Sequence, residues 1–123
     1  MRFMTIVKGH ETSSPPPQAL INAIDKLGQE AAGQGVMVEM GGLYPIAMGT
    51  KVRIVGDRLK VIDGPFTEAK EVIGGYAVYA VKSREEAIEW TKRFMQLHLE
   101  HWKGWEGEVE VRQLYEAPGT PSS

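Results

Sequence analysis

The 123 residues are 42% apolar and 24% charged, ordinary proportions for a folded globular domain and enough chain to bury about two-thirds of its unfolded surface around one core. A formal charge of -2 supplies no polyanion-binding field and excludes nucleic acid as a natural partner. The absence of cysteine excludes disulfides, thiolate metal sites and a thiol nucleophile together.

The N-terminal Met1 to Lys8 is too short for a signal peptide, and no apolar run approaches the roughly 18 residues of a membrane span. A cytoplasmic protein with no membrane partner is expected. Phe3 to Lys8 reads as a strand, with Phe3, Met4, Ile6 and Val7 spread over both faces, so cover is needed on both sides. The Ser and Pro cluster from Glu11 to Pro17 ends it. Ser13 or Ser14 is placed to cap a helix starting near Pro16, on which Leu20, Ala23, Ile24, Leu27 and Ala31 form one apolar stripe. Gly33 and Gly35 terminate that helix.

Val36 to Met40 is a short strand, and Gly41 to Pro45 reads as a break. Lys51 to Val55 and Arg58 to Ile62 both alternate around Gly56-Asp57, a two-residue turn with glycine where a positive φ is required. This predicts a β-hairpin running directly into Asp63-Gly64-Pro65-Phe66-Thr67-Glu68-Ala69-Lys70-Glu71, the densest group of chemical side chains in the chain. Val72 to Val81 follows as a central strand, with Tyr76, Val78 and Ala80 on one face and Ala77, Tyr79 and Val81 on the other. Ser83-Arg84-Glu85-Glu86 is a capping box. It opens a helix carrying Ala87, Ile88, Thr91, Phe94, Met95 and His98 on one side and ending by Gly104. Glu108 to Arg112 alternates as a last strand with one wet face, and the 118–123 segment reads as a frayed tail behind a domain spanning 1–117.

Strand, helix, strand, inserted hairpin, strand, helix, strand is an α+β order, the split β-α-β pattern of a ferredoxin-like β-α-β-β-α-β domain with an added β-hairpin. Two helices cover one face of such a sheet. The apolar residues on the second face predict a homodimer packed sheet against sheet.

The run Asp63 to Glu71, then Gly74-Gly75-Tyr76, the Ser83 to Ala87 helix start and Gly107-Glu108-Val109-Glu110-Val111-Arg112 resemble the YCII-related family, in its branch named for the Asp-Gly-Pro-Phe motif. The likeness extends from Met1 to about Ala117. It implies a dimeric α+β barrel and little about activity, although some relatives act on chlorinated or lactone-like aromatic breakdown products and others occur beside sigma-factor-like regulators. Other branches of the family are thought to use a His and Asp pair as acid and base, with the His on the first helix. That helix has no histidine here, so the resemblance carries over only Asp63.

Asp63 has two readings: a base at a strand end facing a cleft under the hairpin, or a turn former whose carboxylate caps nearby N–H groups. His10, beyond the first strand, is the best replacement for the absent helix histidine. Phe66, Lys70, Glu71 and Tyr44 are the expected substrate-binding residues, with Lys70 holding an anionic group, though charges after a turn are also often solvated surface. Tyr76, Tyr79, Trp102 and Trp105 are candidates for an aromatic wall or for core. His98 and His101 have a metal-compatible spacing but no evident third ligand. No cofactor is implied, and no phosphate-loop or serine-nucleophile motif is present. These residues predict a small-molecule pocket, with cofactor-free lyase or isomerase chemistry on a small cyclic or enol-type acid, or else a non-catalytic binding or regulatory module.

Overall fold

Two antiparallel sheets carry the fold in the computed structural model, which describes residues 1–10, 14–64 and 72–116. The larger has four strands: β1 (Arg2–Gly9), β2 (Met37–Gly42), β5 (Val72–Ala80) and β6 (Gly107–Gln113), in the order β2-β5-β1-β6. With the helices α1 (Gln18–Gly33) and α2 (Arg84–His101) between them, this is the expected ferredoxin-compatible α+β order. The smaller sheet is the inserted hairpin, β3 (Thr50–Val55) and β4 (Arg58–Asp63).

The hairpin turn has Gly56 at φ 57° and Asp57 at φ 61°. Positive φ at both central residues is the geometry that matches strand twist, and Asp tolerates it better than most side chains. Val52 then pairs with Val61 and Ile54 with Leu59 on one side of the ribbon, while Arg53 pairs with Lys60 on the other. The four apolar residues are 64% to 78% exposed, so this side of the hairpin has no cover among the described residues.

Local chemistry sets the helix ends, not always as expected. At α2, Ser83 Oγ accepts from Glu86 N at 3.1 Å, and Glu86 reaches back to Lys82 N at 2.9 Å, so the capping box forms, shifted by one donor. At α1 the cap position is Pro17, with no side-chain cap bond, and the helix begins at Gln18. Ser14 therefore stands three residues too early to cap it, and Ser13 lies outside the described residues. Pro17 lacks an N–H and its fixed φ leads into the first turn, which is why a helix can start there uncapped.

Gly41 and Gly42 were expected to break the second strand; instead β2 continues through them, pairing with Tyr76 and Gly75. Backbone ladder bonds need no side chain, and the neighbouring Gly74-Gly75 lets the two strands run close.

The core joins α1 (Leu27, Ala31) and α2 (Ala87, Trp90) to Phe3, Ala77, Tyr79 and Val81 on one face of the sheet. Trp90, absent from the expected stripe, stacks on Tyr79 with ring centres 6.2 Å apart and lies under Arg93, 4.9 Å away. Arg93 in turn makes a two-pronged ion pair with Glu30, at 2.5 and 2.8 Å, tying α2 to α1. The opposite face pairs Met4 with Val78, Ile6 with Tyr76 and Arg2 with Ala80. No helix among the described residues covers it, and these apolar residues are only half-buried. No helix among the described residues is long and apolar enough to cross a membrane.

Candidate functional site

The layer between helices and sheet is packed at one end and open at the other. Where β1 and β5 present Thr5, Val7, Gly75 and Ala77, the sheet side chains are too small to reach the helices. The first half of α1 contributes Leu20, Ile21 and Ile24, and α2 contributes Thr91, Phe94 and His98. Between them lies a cleft of about 790 Å³, within the range of small-molecule sites. Its walls are mainly apolar and aromatic. Trp102 and Trp105, stacked at 5.8 Å, close one side.

Two titratable groups on this wall are buried among the described residues, Tyr79 and His98, and His98 is the one that can accept or release a proton near neutral pH. Its ring sits between Phe94 and Trp105, each 4.7 Å away centre to centre. Nδ1 lies 3.0 Å from the Phe94 carbonyl oxygen, and because a carbonyl can only accept, Nδ1 carries the proton. Nε2 is left as a lone-pair acceptor with no hydrogen bond to any described residue. Burial pushes the imidazole below its ordinary range, and the bond to Phe94 opposes that only in part. The ring is therefore neutral at pH 7.

That depression has a consequence for stability. A histidine whose folded-state value is lowered binds its proton more readily unfolded, so its contribution is fully present above about pH 6.5 and is lost as pH falls below it. We expect urea midpoints to fall between pH 7 and pH 5, and His98→Phe to flatten that slope. Glu30 and Glu110, held below the ordinary carboxylate range by Arg93 and Lys8, lose their contributions only at more acidic pH. An unchanged slope in the variant would show that His98 is not the group responsible.

His10 and Tyr44 both line the cleft, His10 at the end of β1 and Tyr44 in the loop after β2, and both are exposed. Asp63 is not among the described residues lining the cleft. It is the last residue of β4, opposite Thr50, whose hydroxyl donates to Asp63 Oδ1 at 3.0 Å. The next residue, Gly64, donates its N–H to the Gly49 carbonyl at 2.8 Å. Phe66, Lys70 and Glu71 lie outside the described residues. A second, more open depression lies between Leu43–Lys51 and Val72–Ile73, and neither Asp63 nor His10 lines it. The larger cleft lies instead between sheet and helices.

Among the described residues, no group of three or more His, Asp or Glu side chains is placed to hold a metal ion. His101, the neighbour with which His98 was paired by spacing, is exposed and lies 3.9 Å from Glu100. The inward position of His98 was visible in the periodicity of α2. That an open cleft rather than packed core meets it there was not.

A family model described as YCII-related domain matches residues 1–101. No curated protein matches the chain. The chain belongs to the YCII-related domain family.

Proposed function

We propose that this member of the YCII-related family binds a small, largely apolar cyclic molecule in the cleft between sheet and helices, and does so as a homodimer. The observation that carries the reading is the cleft itself: about 790 Å³ of mainly apolar space with one buried, neutral histidine on its wall. A cavity this large inside a small domain forfeits dispersion and burial that side chains would otherwise supply, a cost an occupant would offset. Cofactor-free proton transfer, of a lyase or isomerase kind on a cyclic or enol-type compound, is a finer form of the same reading, supported by the free Nε2 acceptor of His98. The non-catalytic form is supported by Asp63, whose carboxylate is engaged by Thr50, and by Asp25 being the one carboxylate along the cleft among the described residues.

A thermal-shift screen of cyclic metabolites tests it, run on the wild type and on Ile24→Trp, which fills the cleft from a half-buried helix position. A ligand present at 100 times its dissociation constant raises stability by about 2.7 kcal/mol. Hits should stabilise the wild type and not Ile24→Trp. Equal stabilisation of both would place binding elsewhere. Turnover of a hit that survives Asp63→Asn but not His98→Gln would support the catalytic form; binding without turnover in the wild type favours the other.

The dimer reading is supported by the half-buried face of Met4, Ile6, Tyr76 and Val78, which a second copy would cover sheet to sheet, and by the uncovered apolar side of the hairpin. Light scattering at tens of micromolar, a working range chosen well above typical dimer dissociation constants, should give twice the chain mass. Val78→Lys, which places a charge in the middle of that face, should return the monomer mass. A wild-type monomer would contradict the assembly.

A further inference from the structure

We infer that the inner wall of the cleft selects a neutral ring compound bearing a hydroxyl group, of the phenol or enol type, and discriminates against carboxylates. The inference rests on the cleft being the binding site. Three side chains on that wall are polar, at least nine-tenths buried and fully accounted for in their donor bonds: Thr5, Thr91 and His98. Each commits its proton to a backbone carbonyl. Thr5 Oγ1 donates to Ala77 O at 3.3 Å, Thr91 Oγ1 to Ala87 O at 2.8 Å, and His98 Nδ1 to Phe94 O at 3.0 Å.

A hydroxyl whose hydrogen is committed offers only lone pairs, and so does the second nitrogen of an Nδ1–H imidazole. These buried groups therefore present acceptors and no donors. Tyr79, the fourth buried polar side chain on the wall, stacks on Trp90 and lies in the field of Arg93; its hydroxyl and the half-buried Trp102 and Trp105 indoles are neutral donors elsewhere along the cleft. A carboxylate placed against such a wall would lose its hydration and meet more lone pairs, which is unfavourable twice over. An ammonium would find acceptors but would have to be desolvated as a full charge, the same penalty that keeps His98 neutral. A neutral O–H meets neither obstacle, and the flanking Phe94 and Trp105 rings supply faces for a planar ring to pack on.

The test uses the full chain and four single-ring probes, toluene, phenol, benzoate and benzylammonium, measured by calorimetry at pH 7. Phenol should bind at least about tenfold more tightly than either charged probe. His98→Phe, which keeps an aromatic ring but removes both nitrogens, should weaken phenol by up to about tenfold more than toluene, the worth of one neutral hydrogen bond. Benzoate or benzylammonium binding as well as phenol would overturn the inference, as would equal effects of His98→Phe on phenol and toluene. Failure of toluene and phenol alike to bind the wild type would overturn the cleft reading and this inference with it. Should His98→Phe not fold, imidazole nitrogen NMR of the wild type decides: phenol, and not toluene, must shift Nε2 while Nδ1 keeps its proton, and an unmoved Nε2 contradicts the proposal.

Discussion

Trp90→Ala should lower the stability of the domain by about 3–5 kcal/mol, as removal of a buried tryptophan usually does. The side chain is 6% exposed and stands where α2 meets both the sheet, through Tyr79, and the α1 tie, through Arg93 and Glu30. Its loss empties the packed end of the helix-sheet layer. Because the other end is already a cleft, few side chains can move in to fill the gap, which argues for the upper part of that range. The ion pair contributes little by comparison, since both partners are close to half exposed and exposed pairs are worth about 0–1 kcal/mol. Chemical denaturation of Trp90→Ala beside Glu30→Gln separates the two. A larger loss in Glu30→Gln would mean that the ion pair, not the indole, holds α2 in place.

The second large effect is expected at Gly64→Ala. A Cβ built on Gly64 would collide with the Ile46 carbonyl oxygen and stand 3.1 Å from the Gly49 carbonyl oxygen. Both obstacles are backbone, so relief requires moving the short 3-10 turn at Ile46–Met48 or breaking the Gly64 to Gly49 hydrogen bond. Overpacking of this kind costs about 1–3 kcal/mol, and occasionally more where backbone must shift. Asp63→Ala, by contrast, removes an exposed side-chain bond to Thr50 whose net worth is about 0.5–1.5 kcal/mol at most. The order Gly64→Ala before Asp63→Ala in lost stability, read from denaturant midpoints, is thus the expected signature of a motif whose glycine seats the end of the hairpin against the 46–49 segment. The reverse order would mean that the carboxylate carries more than its one visible bond.

Most of the architecture was legible because it follows from periodicity. Alternation places Ala77 and Tyr79 on the buried side of β5, with Val81 just beyond its end, and leaves Tyr76 and Val78 on the other, and the Gly56-Asp57 pair fixes the hairpin turn. The errors were local. Ser14 looked like a cap because serine before a proline cluster usually is one, but only the structure shows that the first helical hydrogen bonds run to the Pro17 carbonyl. The Gly41-Gly42 pair looked like a break because glycine is a poor strand former alone; a partner strand with its own glycines reverses that outcome.

The site was less legible, and for a physical reason. Charge density drew attention to Asp63 and its neighbours, whereas the cleft is defined by what is small: Thr5, Gly75 and Ala77 on the sheet, opposite helix positions too far away to fill the space. Volume left empty between elements is a property of their packing, and no spacing along the chain encodes it directly. The periodicity of α2 places His98 on the inward stripe, where it is buried. Its protonation and its open Nε2 follow only from the Phe94 carbonyl one turn earlier and from the rings on either side.

Locating a bound ligand by NMR is the most direct test. Nuclear Overhauser contacts from a bound ring compound, phenol or a screening hit, should reach the methyl groups of Thr5 and Ile24 and the rings of Phe94 and His98, which surround the cleft. Contacts confined to Thr50 and Asp63 at the hairpin base, or to Met4 and Val78 on the opposite sheet face, would contradict the assignment of the cleft between sheet and helices as the binding site.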